Sequence, residues 1–125
     1  MKRNQLHILI FPLLFSTILH AQILNTEVKA KIELSYFEEM VSVTGTAENL
    51  DDGMKNLSYT LSVIKKNKQT TNTSNNSQNG EFTLNPNEKK ILSTTKINQS
   101  TKDEIIILLL IYDDNDVMVG KDRII

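Results

Sequence analysis

The chain has 125 residues, 14 Lys and Arg against 15 Asp and Glu, a formal net charge of -1, and no Cys. Its two histidines, His7 and His20, lie in the first 21 residues, so the rest of the sequence offers neither His nor Cys for zinc, haem, Ser-His-Asp or Cys-His chemistry. Carboxylates and lysines remain, but an enzyme becomes the least favoured class, and the near-neutral charge argues against nucleic acid as a partner.

The first 21 residues have the pattern of a secretory signal peptide. A basic N-terminus precedes a mostly apolar stretch at 6–19, and Ala21 is the small residue at which a signal peptidase would cut. An uncleaved anchor is the alternative, but this stretch is short against the roughly 20 residues that span a bilayer. We predict a signal peptide at 1–21, one domain at 22–125, location in the periplasm or outside the cell, and no stable membrane insertion after cleavage.

The sequence after the signal indicates β-strands. Residues 27–36 alternate between apolar and polar side chains, as expected for a strand with one buried face. Residues 40–48 and 57–66 repeat the pattern, and an Asp-Asp-Gly turn at 51–53 separates them. Three consecutive strands with one face in a core are therefore predicted.

A polar tract at 67–79 contains no apolar side chain. Taken alone it has the composition of a disordered linker, yet threonine suits strands and residues 80–84 restore the alternation at once. A polar edge strand, or a loop between strands, is therefore the alternative to disorder. Alternation places Phe82 in the core with Leu84, and Gly80 is predicted to serve a turn or a bulge.

The last third of the chain predicts three more strands. An Asn-Pro-Asn turn at 85–87 precedes a strand at 89–97, and the apolar run at 104–112 has the length of a strand buried on both faces. A final strand is predicted at 117–124. About seven short antiparallel strands, regular turns and no amphipathic helix predict an all-β fold, an immunoglobulin-like β-sandwich.

Asp113, Asp114 and Asp116 form the densest acidic group. Clustered carboxylates suit calcium, but the spacing lacks the glycine and the distal glutamate of an EF-hand loop. A solvated hairpin turn is favoured, because Asp and Asn are usual turn residues. We predict no metal site and no cofactor.

Lysines cluster at two places: Lys65, Lys66 and Lys68 follow the third predicted strand, and Lys89 and Lys90 form a second group. The favoured explanation is that they discourage strands from pairing with other chains. The alternative is an interaction surface for an acidic or strand-forming partner.

A more specific signal lies in residues 57–93. There, Ser77, Gln78, Gly80 and Phe82 form a Ser-Gln-x-Gly-x-Phe motif after the polar tract, followed by a turn with Pro and a strand that ends in Leu-Ser. This order resembles the small exported curli assembly and curli amyloid-inhibitor chaperones of bacteria. Some members have a Cys-x-Cys pair once interpreted as redox-active, and the absence of Cys excludes that chemistry here.

The resemblance implies a periplasmic chaperone that keeps a curli-type amyloid subunit from polymerising early, by transient surface contact. The implied partner is that subunit, and the chaperone is expected to act as a monomer and not as an enzyme. We predict the client contacts from the lysine group and the motif segment: Lys65, Lys66, Lys68, Gln78 and Glu81. The alternative function is a structural or adhesion module of the same fold that binds a surface or fibre component.

Overall fold

The computed structural model describes residues 23–125, and the predicted signal peptide and its cleavage site lie outside the described residues. The strands in this range are β1 Val28–Phe37, β2 Met40–Asn49, β3 Lys55–Asn67, β4 Thr73–Leu84, β5 Lys89–Asn98, β6 Asp103–Asp113 and β7 Met118–Ile124. One sheet has the order β1-β2-β5 and the other the order β4-β3-β6-β7, with antiparallel pairing throughout. The predicted all-β sandwich is therefore confirmed. Across 23–125, no helix has the length and hydropathy of a membrane span.

The core lies between the two sheets. Alternate residues of five strands face inward, which confirms the alternation predicted for 27–36 and 57–66. The buried apolar side chains are Val28, Ala30, Ile32, Val41, Val43, Ala47, Leu57, Leu61, Val63, Leu84, Ile105, Ile107, Leu109 and Ile111. Because each buried Val, Leu or Ile side chain contributes on the order of 2 kcal/mol, packing can hold this domain together without a disulfide.

The polar tract is largely an edge strand. β4 pairs with β3 in continuous register, from Thr73 opposite Lys66 to Leu84 opposite Lys55, and only 68–72 form the connection. In that turn, the Oδ1 atom of Asn67 accepts hydrogen bonds from the backbone N–H groups of the next turn residues. The strand forms without apolar side chains because β3 supplies the backbone partners on one side.

The apolar run of β6 is buried on one face only. Leu109 is fully buried, whereas its neighbour Leu110 is half-buried on the outer face of the four-stranded sheet. The prediction of burial on both faces is therefore wrong. The reason is that none of the described residues forms a third layer over this face, where the side chains of β6 lie beside Ser62 and Thr60 of β3.

Gly80 lies in mid-strand, so the prediction of a turn or bulge is wrong. It stands opposite Tyr59 in unbroken register, and a Cβ atom at this position would lie 3.1 Å from Cε1 of that ring. The Tyr59 ring also meets Phe82 edge-on, with 6.0 Å between centroids, and its hydroxyl donates to the Leu92 carbonyl at 3.3 Å. Glycine is suited to this position because a cross-strand aromatic ring covers it.

Phe82 and Leu84 are placed as predicted. Leu84 is fully buried, and Phe82 is half-buried against the core. The motif segment therefore presents its apolar side chains to the interior, and its exposed positions are polar.

Candidate functional site

One side of the sandwich is closed by side chains that bond edge backbone groups. β1 and β7 are edge strands that lie side by side. The Oδ1 atom of Asn25 accepts from the N–H groups of Ala30 and Lys121, each at 3.1 Å, and its Nδ2 donates to the Lys121 carbonyl at 2.9 Å. The Oδ2 atom of Asp122 accepts from the N–H of Ile32 at 2.7 Å. Groups that could pair with another chain are thereby occupied.

The opposite side of the sandwich presents the edges of β4 and β5, and β5 is protected. The register of β5 on β2 shifts at Leu92, which is left without a partner in a bulge. Two of its edge carbonyls are taken, since Leu92 accepts from the Tyr59 hydroxyl and Asn98 accepts from Nζ of Lys65 at 3.0 Å. The strand also carries three lysines: Lys89, Lys90 and Lys96.

The three predicted lysine contacts do not form one patch. Lys65 lies on the inward-facing side of β3, and its Nζ donates to the Asn98 carbonyl. Lys66, the next residue, points to the outer face of the four-stranded sheet and is exposed. Lys68 lies in the turn, where its N–H donates to the Lys102 carbonyl at 2.9 Å. Alternation along a strand separates neighbours in sequence onto opposite faces.

Gln78 and Glu81 also lie on different faces of β4. Gln78 is half-buried on the inner side, opposite Leu61, and Glu81 is exposed on the outer side, opposite Ser58. Glu81 shares its face with Lys66, but Lys66 and Ser58 are 66 - 58 = 8 residues apart on β3, about 27 Å at 3.4 Å per residue. The five predicted contacts are dispersed, and their role in binding a client stays a prediction.

The acidic group after β6 is a turn. The Oδ1 atom of Asp113 accepts from the N–H groups of Asn115 at 2.9 Å and Val117 at 3.0 Å, and Asp116 adopts a φ of 61°. The predicted turn is therefore confirmed, with one carboxylate committed to the backbone. Within 23–125, no group of acidic side chains is arranged to hold a metal ion.

Asp103 lies opposite Asn67, at the end of β3 that carries Lys65 and Lys66. Its hydrogen bonds predict a pH dependence of stability. Its Oδ2 accepts from the N–H of Ser100 at 2.9 Å and from its hydroxyl at 3.2 Å. The Ser100 N–H chiefly, with its hydroxyl and the charge of Lys65, lowers the pKa of Asp103 below 3.8, against a smaller opposing effect of burial. The resulting stabilisation is present above pH 3.8 and is lost as the pH falls through the lower folded pKa.

We therefore expect Asp103→Asn to reduce the stability lost on acidification. Urea unfolding between about pH 6 and pH 2 would measure this as a shallower slope for the variant below pH 3.8. Asp114→Asn is the matched control, since it removes the same charge from an exposed side chain with no hydrogen bond inside 23–125. Parallel curves for wild type and Asp103→Asn below pH 3.8 would contradict the prediction.

Comparison with known proteins identifies the fold. No protein-family model and no curated protein sequence matches the chain. The E. coli curli protein CsgC superposes with a TM-score of 0.62 over 77% of this chain and 96% of its own, at 11% identity. R. palustris CsgH gives a TM-score of 0.55 over 75% of this chain and 89% of its own, at 21% identity.

A Bacteroides uniformis β-glucuronidase also contains the fold, with a TM-score of 0.52 and 9% identity over 78% of this chain, but the match covers only 14% of the enzyme. CsgC and CsgH, in contrast, are matched over nearly their whole length. The chain therefore has a CsgC/CsgH-like fold, in agreement with the resemblance found in residues 57–93.

Proposed function

We propose that this protein is an exported chaperone of the periplasm that delays the amyloid polymerisation of a curli-type subunit. The observation that carries the proposal is the shared fold with the curli protein CsgC over 96% of the CsgC chain. The Ser-Gln-x-Gly-x-Phe motif supports it from the sequence, and this motif lies on edge strand β4.

The physical demands of this function fit the described residues. An inhibitor of nucleation needs no reactive group, because it acts by binding rare oligomers before they extend. It also needs edges of its own that do not join a growing sheet. The Asn25 side chain bonds edge groups of both β1 and β7, Asp122 bonds one of β1, and Lys65 bonds one of β5. We propose that the protein acts as a monomer.

Thioflavin-T kinetics of a purified curli-type subunit test the function. The protein, expressed from its full coding sequence and purified after export, is added at ratios from far below equimolar to equimolar. We expect a longer lag phase already at the low ratios, because few nuclei need to be intercepted. An unchanged lag at every ratio would refute the proposed function.

The lysine contacts predict a charge dependence. The double variant Lys66→Glu and Lys68→Glu reverses two exposed charges and should leave the sandwich intact. Lys65 must be kept because its side chain bonds β5. If each lysine contact contributes about 0.7 kcal/mol to client binding, roughly tenfold more variant than wild type is needed for the same lag. Thioflavin-T kinetics at low and high salt would measure this difference, which should shrink at high salt because salt screens the charges.

Lys29→Glu with Lys31→Glu is the matched control, since both side chains are exposed on the other sheet. We expect this control to inhibit as wild type does. A folded Lys66→Glu, Lys68→Glu variant with unchanged inhibition would remove these two lysines from the contact surface.

A further inference from the structure

Alternate residues of β4 bond β3 through their backbone, and the residues between them turn their backbone groups to the open edge. In the β3–β4 turn, the N–H of Asn67 donates to the Asn72 carbonyl at 2.8 Å. Bonded and non-bonded pairs alternate along an antiparallel ladder, so the even-numbered residues of β4 bond β3. The odd-numbered residues turn both N–H and C=O to the open edge, and the Thr83 carbonyl confirms this by accepting from Nζ of Lys90 at 2.8 Å.

The outward backbone groups from Thr73 to Glu81 have no hydrogen-bond partner among residues 23–125. They belong to five residues, each with one N–H and one C=O: Thr73, Asn75, Ser77, Asn79 and Glu81. No proline, lysine or register shift interrupts the stretch of β4 from Thr73 to Glu81, which is about 27 Å long. The edges of β1, β5 and β7 differ, because side chains or a bulge occupy part of each.

We propose that the open edge of β4, from Thr73 to Glu81, is a strand-addition site for an extended, uncharged polar segment of a partner protein, rich in Ser, Thr, Asn and Gln. The partner strand forms a backbone ladder with the outward groups, as in other proteins that bind peptides at a sheet edge. This inference rests on the proposed function and deepens it, because it assigns the client strand to one edge.

The side chains of β4 select the chemistry of this occupant. Asn75, Ser77 and Asn79 are exposed and uncharged, and they project on the outer face beside any strand that pairs there. Amide and hydroxyl side chains match one another in such ladders, and the Ser62 and Ser77 hydroxyls already do so at 3.4 Å. Within β4 itself, a charged partner residue would find no counter-ion before Glu81, and the exposed Lys66 of β3 lies opposite Thr73, at the far end of this edge. An apolar partner residue would cover amides without bonding them.

Strand addition at this edge also explains how binding would slow amyloid formation. Amyloid grows by the pairing of strand edges. A client strand that is bonded to β4 has one of its two edges occupied by a protein whose other edges are protected. Extension of that nucleus is then restricted to one side.

Ser77→Pro tests the site without opening the sandwich. Proline is tolerated in an edge strand where the missing N–H faces outward, and here it removes one outward donor and places a ring in the path of the partner. Thr94→Pro is the matched control on β5. The N–H of Gln99 donates to the Glu39 carbonyl, which turns Thr94 outward by the same parity.

The two substitutions cost the fold equal contacts. Ser77 loses its hydroxyl contact with Ser62 at 3.4 Å, and Thr94 loses its hydroxyl contact with Thr44 at 3.2 Å. Urea unfolding would establish that both variants remain folded. A difference in binding between them then reports on the edge and not on stability.

The probe is a capped eleven-residue peptide of alternating Ser and Asn, and a version N-methylated at alternate backbone nitrogens is its control. Amide hydrogen exchange, followed by NMR on the protein purified after export, should show slower exchange at the five odd-numbered residues from Thr73 to Glu81 when the peptide is present. Ser77→Pro should weaken peptide binding at least about tenfold, since one donor is lost and the proline ring holds the partner strand away from the neighbouring backbone groups, while Thr94→Pro binds as wild type does. The N-methylated peptide should not bind.

Three results would overturn the site. These are no exchange protection by the peptide, equal binding to Ser77→Pro, or a wild-type dimer that Ser77→Pro dissociates, which would make a second copy the occupant. Thioflavin-T kinetics keep the two proposals apart. If wild type and Ser77→Pro lengthen the lag of the subunit equally, the assignment of the client to this edge is refuted but the proposed function stands. If the protein binds the peptide but does not lengthen the lag of the subunit, the proposed function is refuted but the strand-addition site stands.

Discussion

Leu109→Ala is expected to lower the free energy of unfolding by roughly 3 to 5 kcal/mol. Leu109 is fully buried in β6 and pairs with Leu61 of β3. Its two Cδ atoms also lie 3.4 and 3.5 Å from the position that a Cβ atom on Gly45 would take in the facing sheet. The side chain therefore fills the space between the sheets, and two hydrogen-bonded sheets cannot collapse into the cavity that its loss creates.

Leu110→Ala is the matched control for this prediction. It makes the same chemical change one residue later, on the half-buried outer face of β6, and we expect a loss of about 1 kcal/mol. Urea unfolding curves of both variants measure the difference. Equal losses for Leu109→Ala and Leu110→Ala would show that β6 is buried to the same extent on both faces.

Asn49→Ala is expected to cost about 2 to 4 kcal/mol of unfolding free energy. Asn49 is fully buried at the end of β2. Its Nδ2 donates to the carbonyls of Gly53 at 2.7 Å and Asn85 at 3.1 Å, and its Oδ1 accepts from the N–H of Asp51 at 3.0 Å. One amide thus joins the β2–β3 loop to the β4–β5 turn, and its removal leaves partly buried backbone groups without these partners and an unfilled space at a fully buried position.

Asn56→Ala is the control for Asn49→Ala, because this exposed side chain accepts one hydrogen bond, from the Thr83 hydroxyl at 3.1 Å. We expect the control to lose about 0.5 kcal/mol or less. Asn49→Asp tests the cause, since it keeps the acceptor but loses both donors and should also be destabilised. A loss below 1 kcal/mol for Asn49→Ala, measured by urea unfolding, would contradict the role assigned to this network.

The positions of the strands could be predicted closely from the sequence. The predicted strand at 40–48 is observed at Met40–Asn49, and that at 89–97 is observed at Lys89–Asn98. This success has a local cause, because an alternation of period two arises whenever one strand face is buried. The strand at 57–66 was likewise right in position, and β3 extends it at both ends.

The polar tract and the apolar run show where local patterns are insufficient. Residues 73–79 form a strand because β3 pairs with them, and no side chain in the tract indicates that neighbour. In β6, the apolar residues on the outer face predicted a second buried face, but burial depends on whether another layer is present. The local sequence predicts a turn or bulge at Gly80 because it does not show the ring of Tyr59, more than twenty positions earlier, which covers this residue in the fold.

The sequence alone determined the positions of the alternating strands, the lack of His and Cys after residue 21 and the turn at Asp113. Only the tertiary structure decided which face each lysine occupies, which edges are protected by Asn25, Asp122 and Lys65, and which outward groups of β4 lie open. The physical reason is that alternation is a property of a few adjacent residues. The state of an edge instead depends on hydrogen bonds between segments that are distant in the chain, 96 positions for Asn25 and Lys121.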